Sequence, residues 1–393
     1  MEVGKGNSRK LRVVTLVDGI GLAGGAERLA REIVVRLDPD RFGRTLCVSR
    51  WSDQRFEEAR EAGALAELED AGVEFLGLRR HRTTDLGSWR PLMALLRSGV
   101  DILHGHKIGS NVWASVLGTL ARTPTIVAHE HTWSFSGQPL RRLLDRRLIG
   151  ARADAFLTVS AADRRRMIEI ERIDPGKVIL VPNGIPDPPP SSGSDLRKEL
   201  GLTAAPIVGT VCALRPQKAL GVLIEASSAL ADQVPGLKVV IVGDGPERSR
   251  LEHLIGELGL EETVLMLGHR DDARELIRSF DVAVCSSDFE GTPLSVLEYM
   301  QAELPIVATR VGGIPDVIED GVEGVLVDPG DPGALAVAID GVLAEPSSAA
   351  RLAAAARRRQ VAEFGIDVTV QAIERIYEGL ASGRPATDLG AGP

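Results

Sequence analysis

Cysteine is scarce: three residues, Cys47, Cys212 and Cys285, occur in a chain of 393. Each sits inside an apolar run, with no second cysteine or histidine at metal-ligand spacing. That excludes a disulfide-stapled scaffold and a cysteine-based zinc site, and it suits reduced core residues in a reducing compartment. Long hydrophobic runs are missing as well, since no stretch approaches the ~18 uninterrupted apolar residues of a spanning helix. Residues 1–10 are polar and Asp18 interrupts the apolar run 13–17, so no signal peptide is expected and the expected location is cytoplasmic. No basic and aromatic interleaving or nucleic-acid-binding module is found, which removes nucleic acid as a partner. No Ser-His-Asp or Cys-His set stands out as a nucleophile with its base.

What remains is an ordinary globular composition, 44% hydrophobic and 26% charged. The length suggests two domains of roughly 150 residues or somewhat more. The net charge of -9 is uneven: residues 1–186 carry 29 Lys plus Arg against 23 Asp plus Glu, and the remainder carries 17 against 32. The first half is the one suited to an anionic partner.

Short apolar runs alternate with helix-length stretches. Residues 11–17 read as a strand, 18–25 as a glycine loop and 26–37 as a helix. Strands are expected at 45–48, 101–104, 125–128, 155–159 and 178–181, with helices such as 111–121 and 138–151 between them. Ile185-Pro-Asp-Pro-Pro-Pro-Ser-Ser-Gly-Ser194 continues neither helix nor sheet and reads as a linker. Beyond it the alternation restarts, with strands at 207–213, 238–242, 263–267, 282–285, 305–309 and 324–327 and helices at 221–230, 246–258 and 293–302. Residues 334–343 and 349–380 read as helical. The fold class is α/β: a doubly wound parallel-sheet domain over 1–186, a linker at 187–195 and a second over 196–365. A C-terminal helix at 366–381 is able to cross back to the first domain, and a disordered tail is expected at 382–393. Open parallel sheets bind ligands at the carboxyl ends of their strands, so the two domains are expected to face each other across a cleft.

The first loop spells G-x-G-x-x-G over Gly19-Ile-Gly-Leu-Ala-Gly24, the spacing of a dinucleotide fingerprint. The acid that should end the second strand is missing, because that strand runs into Ser49-Arg50-Trp51. An NAD(P)-dependent dehydrogenase stays open as an alternative. Gly24 and Gly25 fit a looser demand, bringing backbone N–H groups at a helix N-terminus close to a phosphate or an acceptor group. A plain tight turn is the bland alternative.

Ser286-Ser-Asp-Phe-Glu-Gly-Thr-Pro-Leu-Ser-Val-Leu-Glu-Tyr-Met300 carries the strongest signal. Thr292 is a good N-cap and Pro293 a good first helical residue, directly after a buried strand. Glu290 and Gly291 then lie at the helix mouth, and Glu298 about one and a half turns inside. Unpaired amides at Thr292, Leu294 and Ser295 suit a diphosphate, and a carboxylate one turn deeper suits the vicinal hydroxyls of a ribose. For either glutamate alone, an ordinary capped helix with a solvated Glu298 and a loop acid is the favoured reading.

Glu290 and Glu298, followed by Pro305-Ile-Val-Ala-Thr309, Gly312-Gly-Ile-Pro-Asp316 and Gly321-Val-Glu-Gly-Val-Leu-Val327, resemble glycosyltransferase family 4, retaining enzymes of the GT-B fold. Gly24-Gly-Ala-Glu27, Val181-Pro-Asn-Gly184, Lys218 and Val242-Gly-Asp-Gly-Pro246 extend the resemblance over nearly the whole chain. It implies a nucleotide-sugar donor on the second domain, an acceptor on the first, and no cofactor or metal. Glu290 is then similar to the family's first motif acid, on the donor sugar, and Glu298 to the second, on the ribose. Gly291, Thr292, Pro293 and Leu294 line the sugar and phosphates, with Gly243 nearby, and Gly268 and His269 lie beside the base. Lys218 resembles the lysine that neutralises the departing diphosphate. One departure is plain: the family's arginine five residues before that lysine is Ala213 here. In an extended segment Arg215 would share a face with position 213 and reach the same phosphates.

Thr125-Ile-Val-Ala-His129-Glu-His131 ends a strand of the first domain. The resemblance places a sugar-contacting histidine there, His131 ahead of His129. His104 and His106 are read as structural, because no third ligand accompanies them for zinc. Arg141-Arg-Leu-Leu-Asp-Arg-Arg-Leu-Ile-Gly-Ala-Arg152 is read as a solvated basic helix packing its leucines on the sheet, with contact to an anionic membrane as the alternative. The resemblance favours a UDP-sugar over a GDP-sugar and leaves the acceptor open among glycan, lipid-linked and small molecules. A non-catalytic nucleotide-sugar binder stays open beside the enzyme.

Overall fold

The computed structural model describes residues 9–20, 25–61, 63–80, 85–132, 138–188, 193–202 and 205–389. The chain forms two compact units, one made of Met1–Gly184 with Ile366–Pro393, the other of Ile185–Gly365.

The first unit holds a seven-stranded sheet of β1 (Leu11–Val17), β2 (Phe42–Val48), β3 (Glu74–Gly77), β4 (Ile102–His106), β5 (Thr125–Glu130), β6 (Ala155–Thr158) and β7 (Val178–Leu180), in the order β3-β2-β1-β4-β5-β6-β7. All its pairings are parallel. The second holds six parallel strands, β8 (Ile207–Val211), β9 (Lys238–Val242), β10 (Val264–Gly268), β11 (Val282–Cys285), β12 (Ile306–Thr309) and β13 (Val325–Val327), in the order β10-β9-β8-β11-β12-β13. Strand order reverses between β1 and β4 and between β8 and β11. These are the points where loops leave in opposite directions and open a crevice.

The strands are valine-rich because both faces are covered. In β11, Val282 and Val284 point one way, onto Leu223, Ile224 and Ile339 of the helices Leu220–Gln233 and Pro332–Ala344. Ala283 and Cys285 point the other way, onto Val296, Leu297 and Met300 of the helix Leu294–Gln301. Each such side chain contributes roughly 1.5–3 kcal/mol by leaving water.

Two expectations change, at β3 and in the C-terminal tail. The strand β3 has no counterpart among the expected strands; at four residues its alternation is too short to read. The helical stretch 349–380 divides into Pro346–Glu363 and Ile366–Ala381. Gly365 is a poor helix former, and the Phe364 carbonyl turns to accept the Ile185 N–H at 3.0 Å. The second of these helices packs Val370, Ile373 and Tyr377 into the first unit's core and ties Glu374 to Arg41 at 2.8 Å. Residues 382–389, expected to be disordered, carry a turn at Ala386–Asp388 whose Ala386 is buried in that same core. The linker is pinned where it is described: Ser194 Oγ donates to Asp272 at 2.7 Å and the Pro186 carbonyl accepts from Arg274 at 3.1 Å.

Candidate functional site

In the second unit, β11 delivers the loop 286–293 to its carboxyl end. Thr309 Oγ1 donates to the Ser287 carbonyl at 2.6 Å, and the Gly313 N–H to the Gly291 carbonyl at 3.0 Å. From the other side the turn Pro216–Lys218 is tied in, its Gln217 carbonyl accepting the Asp288 N–H at 2.8 Å and its Lys218 carbonyl accepting Ser286 Oγ at 2.9 Å. Gly312 has a φ of +54°, and a Cβ there would run into the Glu290 carbonyl oxygen. Only glycine fits so close a backbone approach.

These staples bring Lys218 and Glu290 together across 72 residues of sequence, with Nζ 2.5 Å from Oε1. Ser287 Oγ donates to the same oxygen at 2.7 Å, and Glu290 is only 5% exposed. Burial by itself would lower the Lys218 pKa; the Glu290 carboxylate outweighs it, and the ammonium is held above its ordinary value. The nearby thiols stay protonated: burial pushes Cys212 up to about 12 and raises Cys285 too.

The helix starts one residue later than expected. Pro293 is extended, with ψ of 122°, so Pro293 is the N-cap and Thr292 precedes it. The amides of Leu294, Ser295 and Val296 are its first turn and have no acceptor within the helix. Gly291 and Thr292 are buried beside them. Glu298 lies deeper and its Oε1 meets Arg274 Nε at 3.2 Å. Sequence reasoning missed Arg274, whose only mark was a cation in a short helix preceding β11.

Around this centre, Gly243 has a φ of +136° and its N–H donates to the Gly268 carbonyl at 2.8 Å. His269 is exposed, 3.2 Å from Asp271. Arg215 is exposed and lacks an ion-pair partner among the described residues. β8 ends at Val211, yet the chain stays extended beyond it: the Cys212 and Leu214 N–H groups bond to the Val242 and Asp244 carbonyls at 3.0 Å, and Arg215 has a φ of -119° and a ψ of 153°.

In the first unit, His104, His106, His129 and His131 converge, four of the chain's seven histidines. Residues 104 and 106 share a face of β4, and the register pairs His106 with His129 on β5. The rings stack: His104 lies 4.2 Å from His106 and His129 lies 4.3 Å from His131, centroid to centroid. His106 Nδ1 is 3.0 Å from His131 Nε2, and His104 Nδ1 is 2.6 Å from the Tyr377 hydroxyl. Burial first, then neighbouring charge, hold all four well below their ordinary pKa and so neutral. His129 is fully buried, whereas His131 is 9% exposed. The expectation that no third ligand accompanies His104 and His106 is corrected, for the β4–β5 register supplies His129.

Gly25 opens the helix Gly25–Arg36, whose Glu27 takes the Lys107 ammonium at 2.6 Å; Gly24 lies outside the described residues. The stretch 141–152 is interrupted by a π-turn, Asp145–Ile149. Its expected packing holds in part: Leu144 and Leu148 are half-buried and Arg142, Arg146 and Arg147 exposed, but Leu143 is 54% exposed and Asp145 and Ile149 face inward. Burial raises Asp145 to about 7, with Glu171 adding to it and Arg141 opposing. Glu130 is raised also, by burial and then by Asp145.

Two family descriptions match, "Glycosyltransferase Family 4" over residues 23–187 and "Glycosyl transferases group 1" over 194–359. Among curated proteins the chain is similar to D-inositol 3-phosphate glycosyltransferase of Mycolicibacterium gilvum, 31% identical over 61% of this chain and 58% of that one. It is also similar to N-acetyl-alpha-D-glucosaminyl L-malate synthase of Bacillus anthracis, 34% identical over 35% of this chain and 36% of that one. The match thus spans less than two thirds of these relatives' length. Among solved structures, Anabaena HepE in complex with UDP-glucose superposes with a TM-score of 0.76 at 25% identity, covering 95% of this chain and 100% of that one. Sucrose-phosphate synthase of Thermosynechococcus elongatus also has a TM-score of 0.76, at 20% identity, with the same coverage. The fold of these two is the GT-B arrangement of two Rossmann-like sheets.

Proposed function

The chain belongs to glycosyltransferase family 4, and from that premise we propose that it is a retaining enzyme moving a sugar from a nucleotide diphosphate to an acceptor hydroxyl. The observation that carries this reading is the buried Lys218–Glu290 pair at the mouth of the Leu294–Gln301 helix. A permanently charged ammonium and a set of first-turn amides converge where the charge of a departing diphosphate would grow. Glu290 holds hydroxyls of the transferred sugar, Glu298 accepts from the ribose while Arg274 steadies its other edge, and Gly268 with His269 flanks the base. Arg215 supplies a second cation to the phosphates.

The glycosidic carbon–oxygen bond to phosphate breaks as the acceptor oxygen bonds to the same carbon from the same face. The acceptor proton passes to the leaving phosphate, and no protein nucleophile is required. UDP is the favoured base carrier, a reading supported by the UDP-glucose bound to HepE.

A non-catalytic binder is the second reading, favoured by Ala213 in the arginine position. The acceptor side is assigned to the first unit, where Leu140 and Leu143 stand exposed among Arg142, Arg146 and Arg147. That surface suits contact with anionic lipid and a lipid-linked acceptor. No helix among the described residues is long and apolar enough to cross a membrane.

The test is a melting-temperature panel with UDP, GDP, ADP, NAD and NADP, followed by assay of sugar release from the stabilising nucleotide's sugar conjugates. A ligand that binds the folded state raises the melting temperature. Stabilisation by one nucleoside diphosphate, lost in Glu298→Ala, with sugar release, is the expected result. Stabilisation without sugar release under any acceptor favours the binder, and stabilisation by NAD or NADP alone overturns the proposal.

A further inference from the structure

We propose that His104, His106 and His129 form a binding site for a divalent transition cation of the zinc class, built into the first unit beside His131. One nitrogen from each of the three rings lies within 4.8 Å of the other two. A tetrahedral zinc centre with bonds of ~2.0–2.1 Å needs nitrogens about 3.4 Å apart, so modest ring rotations close the set. The backbone already holds the ligands on one face, two on β4 and the third on the β5 residue in register with His106.

The second observation is the state of the ring nitrogens. His104 Nε2, His106 Nε2, both nitrogens of His129 and Nδ1 of His131 are buried without a hydrogen-bond partner among the described residues. An unmade buried hydrogen bond costs about 1–3 kcal/mol, and five such atoms in one place are a poor design for simple packing. Valine or phenylalanine would fill the same volume without that cost. A metal ion converts the free lone pairs into bonds.

The nitrogens that are partnered point the same way. Tyr377 takes Nδ1 of His104 and His131 takes Nδ1 of His106, which leaves Nε2 of both rings for the ion. This is the outer-shell pattern of a histidine metal site, where the second nitrogen is held so that the first is aimed. The donor set is all imidazole, which suits zinc, cobalt, nickel or copper and disfavours magnesium or calcium. Water completes the four-coordinate set, as in zinc sites with three histidine ligands. Through Tyr377 on the C-terminal helix, the bound ion would link β4, β5 and that helix.

The experiment uses the full chain without an affinity tag, stripped by chelator and titrated with Co2+, then Zn2+, with Mg2+ as a control. One equivalent of cobalt per chain is expected, with the intense visible bands of a four-coordinate site, displaced by zinc. Zinc is expected to raise the melting temperature and magnesium to leave it unchanged. His106→Ala and His129→Asn are each expected to abolish stoichiometric binding, Tyr377→Phe to weaken it about 10- to 100-fold, and His253→Ala to leave it intact. No stoichiometric binding by the wild type overturns the proposal, as does binding retained in both histidine variants. Should those variants fail to fold, the wild-type cobalt spectrum decides: octahedral bands overturn the site and four-coordinate bands support it. Neither result depends on sugar transfer.

Discussion

The strand ends of the two units handle buried polar groups in opposite ways. In the second unit the buried acid Glu290 has a cation and a hydroxyl at hydrogen-bond distance, and Glu298 has Arg274. In the first, four imidazoles are stripped of solvent with five nitrogens unpartnered, and both oxygens of buried Asp145 lack a hydrogen-bond partner among the described residues. Pairing lets a charge stay charged inside a protein, whereas burial without pairing drives groups neutral. The second unit is therefore equipped to meet a charged ligand with fixed charges, and the first holds groups that are neutral until a ligand arrives.

The sharpest way to break this contrast is Lys218→Ala. Sugar-transfer turnover is expected to fall on the order of 10²–10³-fold, as when one fixed charge stabiliser is removed from an active site. Stability should fall as well, by roughly 3–5 kcal/mol, because Glu290 is left buried beside Ser287 alone. Steady-state kinetics and chemical denaturation read the two effects separately. Turnover within threefold of wild type would remove Lys218 from the mechanism.

Asp145→Asn is expected to act with the opposite sign. The folded state binds this carboxyl's proton more tightly than the unfolded state, with a pKa of about 7 against an ordinary 3.8. Stability is thus lost as pH rises between those values and stays lost above about 7. The substitution should stabilise by on the order of 2–4 kcal/mol at pH 8 and progressively less toward pH 4. Melting temperatures of both proteins across that range check it, and a constant difference would show that Asp145 does not titrate as its burial implies.

Gly312→Ala tests geometry instead of charge. The left-handed backbone and the approach to the Glu290 carbonyl should cost about 1–3 kcal/mol and shift Glu290, lowering turnover with little change in the global fold. The smallest effect belongs to the first unit's surface. Leu143→Ser should alter stability by less than about 0.5 kcal/mol yet weaken sedimentation with anionic vesicles several-fold. Unchanged vesicle binding would remove the membrane contact.

Much of the second unit was legible because its signals are local. Valine runs bounded by glycine and proline mark its strands, and Glu290 and Glu298 belong to one loop and helix. Lys218 was placed only by resemblance, since 72 residues separate it from Glu290 and no periodicity joins them. The first unit was harder to read. His104 and His106 showed the i, i+2 spacing of one strand face, but their union with His129 depends on the pairing of β4 with β5.

From sequence alone came the two doubly wound α/β units, their strands apart from β3, and the donor motif, because period, turn chemistry and short-range spacing act within a dozen residues. Tertiary structure alone decided which distant groups share a buried space: Lys218 against Glu290, Arg274 against Glu298, Tyr377 against His104. Those meetings are set by sheet register and chain reversal. Whether a buried group is charged, neutral or waiting for a ligand follows from its neighbours in space, which the linear order does not state.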